Sequence, residues 1–229
     1  MTEWYNKNML SSAVIQLIAI ITMTIDHVGL YLCGNSEIFR IIGRIAFPLF
    51  AFMLVEGFKY THSRKKYYLR IIATALIAEL IAFFLASTTH TEFSHNVLFT
   101  FAFAFMALTI AEYGGFALIL LPIIALIPGA LNCEYGAYGV FLVIGLYYAD
   151  KIFAEQYVLK SLAQFIVVAA IMLSLAQFEA APIMSFGILA SLPIVLYSGK
   201  KGHRLPYWLN YIYYPAHLLI LLLIRLMFY

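Results

Sequence analysis

Charge is what this chain has least of. Only 11% of its 229 residues are Asp, Glu, Lys or Arg, against 64% hydrophobic, and the mean hydropathy is +0.93. A soluble domain carries roughly a quarter charged residues, so an ordinary soluble fold is excluded. The net charge of +3 is small and scattered, which leaves no basic patch for nucleic acid. Cysteine is nearly absent too. Cys33 and Cys133 fall on predicted outer loops and are expected as two free thiols, a disulfide between them needing an oxidising compartment. The chain has no C-x-x-C, no H-E-x-x-H and no glycine-rich phosphate loop, so ATP hydrolysis, dinucleotide binding and clustered metal sites lack support and no metal is expected. No internal repeat and no appended soluble domain is visible, which speaks against transporters built from paired halves. Residues 1–229 therefore read as one integral-membrane domain. The first apolar run has spanning length and no small-residue cleavage pattern after it, so it is expected to stay as a helix.

What is abundant is apolar sequence in spanning-length runs. These predict an all-α, polytopic transmembrane bundle of about nine helices, near 11–32, 38–58, 67–86, 96–112, 114–129, 136–149, 159–177, 182–198 and 207–228. Strands are not expected, because the runs lack period-two alternation. Lys59, Arg64, Lys65, Lys66 and Arg70 follow the second helix, Lys151 and Lys160 bracket the loop after the sixth, and Lys200, Lys201 and Arg204 follow the eighth. In a nine-helix topology these loops share one side with Lys7, which makes that side and the N-terminus cytoplasmic. Trp4, Tyr5, Tyr207 and Trp208 read as interfacial anchors.

Against that background a few ionisable residues stand out at membrane depth. Asp26 and His27 lie inside the first run, and Arg40 and Arg44 head the second. At 1.5 Å per residue, Asp26 and Arg44 both sit roughly 9 Å below the outer surface, and the short turn from Cys33 to Glu37 makes their helices antiparallel neighbours. Pro48 offers no N–H to the carbonyl of Arg44, so the second helix should open at this level. Snorkelling arginines on a proline-kinked helix would be the plainer explanation, but four ionisable groups at matched depth exceed what packing requires. Glu79 and His217, near the middle of the third and ninth helices, and His95 with Asn96 at the outer mouth of the fourth, could face the same cavity. Equally, Glu79 could pair with an arginine for structure alone, and His217 could be a buried histidine bonded across helices. His62, His90 and His203 fall in loops and are expected to be solvated.

Asp26-His27-Val28-Gly29, the run from Arg40 to Phe52 (R-I-I-G-R-I-A-F-P-L-F-A-F), then Glu56-Gly57, Thr61, Arg64, Tyr67 and Arg70, together resemble the TraX family. Tyr213-Tyr214-Pro215-Ala216-His217-Leu218 resembles that family's closing motif, so the likeness extends over about residues 10 to 225, with little beyond hydropathy between Thr100 and Ser198. The resemblance implies an acyltransferase of the bacterial cytoplasmic membrane, like the family's namesake, which acetylates the N-terminal amine of F-pilin. Acetyl-CoA would be the donor co-substrate on the cytoplasmic side. The acceptor would be a secreted or cell-surface amine or hydroxyl, on a pilin, another peptide or a glycan, meeting the site toward the outer leaflet of the lipid bilayer.

Chemistry suggests roles. Histidine has the proton affinity to act as base toward an attacking acceptor, which points to His27, with His217 as the second candidate. Asp26 would orient a neighbour or stabilise the imidazolium, and Arg40 or Arg44 would balance Asp26 or hold the developing oxyanion. Glu79 joins this catalytic set, His95, Asn96 and Tyr214 are candidates for holding the acceptor, and Arg64, Lys65, Lys66 and Arg70 are placed to gather the phosphates of CoA. The competing class is a proton-coupled transporter of a small anionic solute, with Asp26, His27, Glu79 and His217 as relay; a non-catalytic assembly protein is a third.

Overall fold

The computed structural model describes residues 9–89, 93–179, 181–203, 205–206, 209 and 211–228. The expectations placed on Trp4, Tyr5, Lys7, His90, Arg204, Tyr207 and Trp208 lie outside the described residues.

The described chain folds into nine helical segments: α1 (Ser12–Tyr31), the broken pair α2 (Glu37–Gly43) and α3 (Ala46–Tyr60), α4 (Arg64–Thr89), α5 (Val97–Tyr113), a 3-10 turn leading into α6 (Leu120–Ala130), α7 (Gly136–Ile152), α8 (Tyr157–Phe178), a 3-10 stretch Pro182–Ala190 running into α9 (Ser191–Val195), and α10 (Tyr213–Phe228). No strand occurs among the described residues; two isolated bridges join Leu10 to Tyr197 and His95 to Cys133. The segments Ser12–Tyr31, Glu37–Tyr60, Arg64–Thr88 and Tyr157–Phe178 are long and apolar enough to cross a membrane, and four shorter segments are also apolar. The protein is built as an integral membrane protein. Its apolar side chains point outward as well as inward: α4 exposes Leu69, Leu76, Ile77, Leu80, Phe83 and Phe84, a surface that lipid rather than water would cover.

The centre of the bundle is α3. Ten of its side chains are buried, from Ala46 to Phe58, and it packs against α1, α5, α7 and the Pro182–Val195 segment. Leu49, Ala51, Leu54, Val55 and Phe58 meet Phe101, Phe105 and Leu108 of α5 and Val140, Val143 and Leu146 of α7 in one core. A smaller cluster of Ala78, Leu85, Leu218, Leu221 and Leu222 holds α10 on α4.

Local sequence explains how the first hairpin closes. Gly34 and Asn35 both take positive φ, +57° and +59°, which turns the chain back within a few residues. Glycines then let the two helices touch. A Cβ on Gly29 would stand 2.3 Å from Cβ of Phe39, and one on Gly43 would stand 2.1 Å from Oδ1 of Asp26. The interruption expected ahead of Pro48 is present: helical structure stops after Gly43 and restarts at Ala46. The segment from 182 departs from the expected single helix. Its first nine residues are 3-10, Pro193 can give no N–H to the carbonyl four residues back, and Gly187 is pressed so closely that a Cβ would lie 2.5 Å from Sδ of Met172 and 3.2 Å from the carbonyl oxygen of Arg44.

Apart from Arg40, Arg44 and Arg225, the described basic residues gather at one end. Lys59 bridges Glu56 (2.9 Å) and Asp150 (2.6 Å), Lys160 lies 3.6 Å from Asp150, and the backbone of Lys200 and Lys201 accepts from Ser12 and Ala13 at the start of α1. The first hairpin's turn and the His95–Cys133 bridge lie at the opposite end of their helices.

Candidate active site

Asp26 is 7% exposed and Arg44 5%, a depth at which an unpaired charge would not be tolerated. Both are satisfied by each other. Oδ1 of Asp26 accepts from Nη2 of Arg44 at 2.5 Å and Oδ2 accepts from Nη1 of Arg40 at 2.7 Å. The i,i+4 spacing of the arginines on α2 puts them on one face, and the missing side chain of Gly43 leaves the space between them for the carboxylate. Arg44 is further committed, through Nε to the carbonyl of Arg40 (3.2 Å) and through Nη1 to the hydroxyl of Tyr135 (3.4 Å) and Sδ of Met184 (3.3 Å). Arg40 makes one side-chain bond among the described residues, to Asp26.

His27 faces a different neighbour. Its Nδ1 lies 2.7 Å from Nε2 of His217, whose own Nδ1 lies 3.0 Å from the backbone carbonyl of Tyr213. A carbonyl can only accept, so with both rings neutral the proton of His217 sits on Nδ1 and its Nε2 is an acceptor. His27 must then donate through Nδ1, which leaves Nε2 of His27 as a bare lone pair. The rings stack at 5.0 Å between centroids, and Tyr213 is itself fixed by a 2.7 Å hydrogen bond to Thr24. His27 lines a cavity of about 590 Å³ with Asp26, Arg40 and Arg44, while His217 stands behind it. Asp26 forms no hydrogen bond to His27; its partners are the two arginines.

The other residues singled out in the sequence divide. Asn96 and Tyr214 line this cavity. Glu79 does not, nor does it meet an arginine: it accepts from Asn96 Nδ2 (2.6 Å) and backbone N–H (3.1 Å) and pairs with His95, tying α4 to the start of α5. Asn96 also caps α5, its Oδ1 accepting from Leu98 N–H at 3.1 Å. Cys33 and Cys133 are free thiols, the second buried in the cavity wall.

Sequence reasoning passed over the connection between α6 and α7. Its backbone turns inward through Asn132 and Tyr135, both at positive φ, +53° and +62°. Tyr135 stacks on Phe47 at 3.5 Å, and Glu134 joins the cavity lining. Burial pushes the Glu134 carboxyl up to about 7, against the opposing pull of Arg44. Gly136 follows at φ +42° and closes the turn, but nothing in the local sequence marks Glu134 as a cavity residue.

A second cavity, of about 540 Å³, opens toward the basic end and is lined by Arg70, Lys201, Glu56 and largely apolar side chains. Met23, Phe50, Val97, Phe101 and Tyr214 line both cavities, so the two share a wall. Arg70 also bonds the hydroxyl of Tyr211 at 3.3 Å. Arg64 is paired with Glu112 outside the cavity, and Lys65 and Lys66 are exposed on the surface. Glu56, 5% exposed, accepts from Lys59 and, at 2.7 Å, from the hydroxyl of Tyr197. Among the described residues no group of three or more His, Cys, Asp and Glu is placed to hold a metal ion.

Residues 11–225 match the family described as TraX protein. The chain is 33% identical to a probable fimbrial assembly protein, FimC of serogroup H1, from Dichelobacter nodosus, over 90% of this chain and 92% of that one. It is 35% identical to Protein TraX of Escherichia coli over 102 residues, 43% of this chain and 39% of the relative. No solved structure matches. On the extent of the family match and of the Dichelobacter likeness, the chain belongs to the TraX protein family.

Proposed function

We propose that this protein is a membrane acyltransferase that moves an acetyl group from cytoplasmic acetyl-CoA to an amine or hydroxyl of an extracytoplasmic acceptor, a pilin N-terminus or a cell-surface polymer. The basic end is read as cytoplasmic from its Lys and Arg. On this reading the N-terminus is inside, the Asp26–His27 cavity lies under the outer leaflet of the bacterial inner membrane, and residues 1–229 act as one domain. The observation that carries the reading is His27, bonded through Nδ1 to His217 and lining a cavity with Asp26, Arg40 and Arg44 that shares a wall with the one opening to the basic end; with both rings neutral its Nε2 is left as a free acceptor. A name referring to fimbrial assembly on the Dichelobacter relative supports a pilin as acceptor.

In this reaction the donor thioester enters through the basic-end cavity. Arg70 and Lys201 hold its phosphates there, exposed Lys65 and Lys66 attract them, and Arg64, occupied by Glu112, has a lesser part. The acceptor arrives in the outer cavity among Asn96 and Tyr214, while His95, outside the lining, stays tied to Glu79. His27 Nε2 takes the proton as the acceptor attacks the carbonyl carbon, and it returns the proton to the departing thiolate. His217 is a positioning residue that fixes the proton of His27 on Nδ1. Arg40, with donors to spare, is the better placed of the two arginines for the developing oxyanion, while Arg44 and Asp26 hold it in place.

Purified protein in detergent, given acetyl-CoA and a short peptide with a free N-terminus, should release CoA thiol and yield acetylated peptide by mass, with His27→Ala abolishing both while the protein still elutes as a monodisperse species. Full activity in that variant, or a wild type inert to acetyl-CoA that instead accumulates an anion in sealed vesicles under a pH gradient, would overturn the reading in favour of transport.

A further inference from the structure

The outer cavity is lined by two carboxyl groups that the reaction above leaves idle, Glu134 and, at its exposed margin, Glu179. Among the described residues every acid other than Glu134 is either paired or exposed. Asp26 holds Arg40 and Arg44, Glu56 holds Lys59, Glu79 holds His95 and Asn96, Glu112 holds Arg64, and Asp150 holds Lys59 and Lys160. Glu37, Glu155 and Glu179 are exposed. Glu134 is neither: it lines the cavity, and no described residue hydrogen-bonds or ion-pairs with its carboxylate. Its backbone is fixed, with the N–H donating to the carbonyl of His95 at 2.9 Å and the carbonyl accepting from Thr100 at 2.6 Å.

A carboxylate held in a cavity wall without a partner costs free energy, and a structural salt bridge does not explain it, since both nearby arginines already bind Asp26. A ligand that brings its own positive charge would complete the set. We propose that Glu134 is the docking carboxylate for the acceptor, binding a primary amine in its ammonium form and taking the first of the two protons that the nitrogen must lose. This rests on the acyl-transfer reading. A hydroxyl loses one proton on acylation, for which His27 suffices; an ammonium loses two.

The step balances. The ammonium gives one proton to Glu134, the free amine attacks the thioester carbon, the C–N bond forms and the C–S bond breaks, His27 takes the second proton and gives it to the thiolate, and Glu134 releases its proton to the outer face. The influences that set the proton affinity of Glu134 are its own burial first, then Arg44 at the end of α2, Asp26 from α1, Arg40 from α2 and Glu79 from α4. A carboxyl titrating near neutrality suits a group that must alternately bind and shed a proton.

The test is calorimetric titration of purified wild type, Glu134→Gln and Glu134→Asp with a short peptide bearing a free N-terminal amine and with the same peptide bearing a hydroxyl in place of that amine. Wild type should bind the amine at least about tenfold more tightly than the hydroxyl. Glu134→Gln should erase that preference, and Glu134→Asp should keep part of it. A wild type without preference, or a Glu134→Gln variant that keeps it, overturns the proposal. If Glu134→Gln does not fold, wild type alone decides: amine binding must strengthen as pH rises through about 7, and a flat profile is contrary. Thiol release is followed in parallel, so that loss of the preference without any acylation would sink the acyl-transfer reading and leave the amine site standing.

Discussion

At the scale of single residues, the site depends on which nitrogen of His27 carries the proton. The carbonyl of Tyr213 sets the tautomer of His217, and His217 sets that of His27. Removing the proposed base, in His27→Ala, should cost about 10²–10⁴-fold in turnover, the usual worth of general base catalysis. His217→Ala should cost less, about 10–100-fold, and should lower kcat with KM for the donor unchanged, because the ring it loses touches His27 and not the cavity. Arg44→Lys retains the charge but cannot reach Asp26, the carbonyl of Arg40 and Tyr135 together. A large loss of transfer is expected, and an unchanged rate would reduce Arg44 to a snorkelling side chain. The hairpin cluster of Asp26, His27, Arg40 and Arg44 was legible because charge at membrane depth is rare and its depth follows from counting residues. The pairing of His27 with His217 was not, since the residues lie 190 positions apart and only packing of α10 brings them together.

At the scale of elements, the first hairpin is built on close approach. Gly43→Ala would drive a Cβ into Asp26 Oδ1, 2.1 Å away, so the carboxylate must leave its place between the arginines. We expect a destabilisation of about 1–3 kcal/mol, as for overpacked cores, read by thermal unfolding in detergent, together with loss of transfer; a variant that unfolds and reacts like wild type would show that the Asp26 bridge is not needed. The break before Pro48 could be foreseen from its missing N–H. The 3-10 stretch Pro182–Ala190 could not, because the close packing of Gly187 between Met172 and the carbonyl of Arg44 is a tertiary contact that the local sequence does not announce. Depth left Glu79 open between the cavity and an arginine partner, and it has neither, because the turn into α5 delivers His95 and Asn96 to it.

For the whole molecule, the bundle and its basic end follow from hydropathy and charge, but the two cavities and their shared wall do not, since they are spaces left between helices distant in sequence. One consequence is global. The Glu134 carboxyl is raised to about 7 in the folded protein and lies near its ordinary value when unfolded, so the native state binds the proton more tightly. Its contribution to stability is therefore present below the unfolded value and is lost as pH climbs toward about 7. Thermal stability should fall across that window in wild type and fall less in Glu134→Gln; parallel profiles would mean that Glu134 does not titrate there. On the proposed reading, a donor cavity at one end and an acceptor cavity at the other require chemistry across the bilayer. Protein reconstituted in sealed vesicles, sorted for a single orientation, should acetylate a peptide on the outer-cavity side when acetyl-CoA is present only on the basic side, with no pH gradient imposed. Transfer that occurs only when donor and acceptor share one side of the membrane would contradict it.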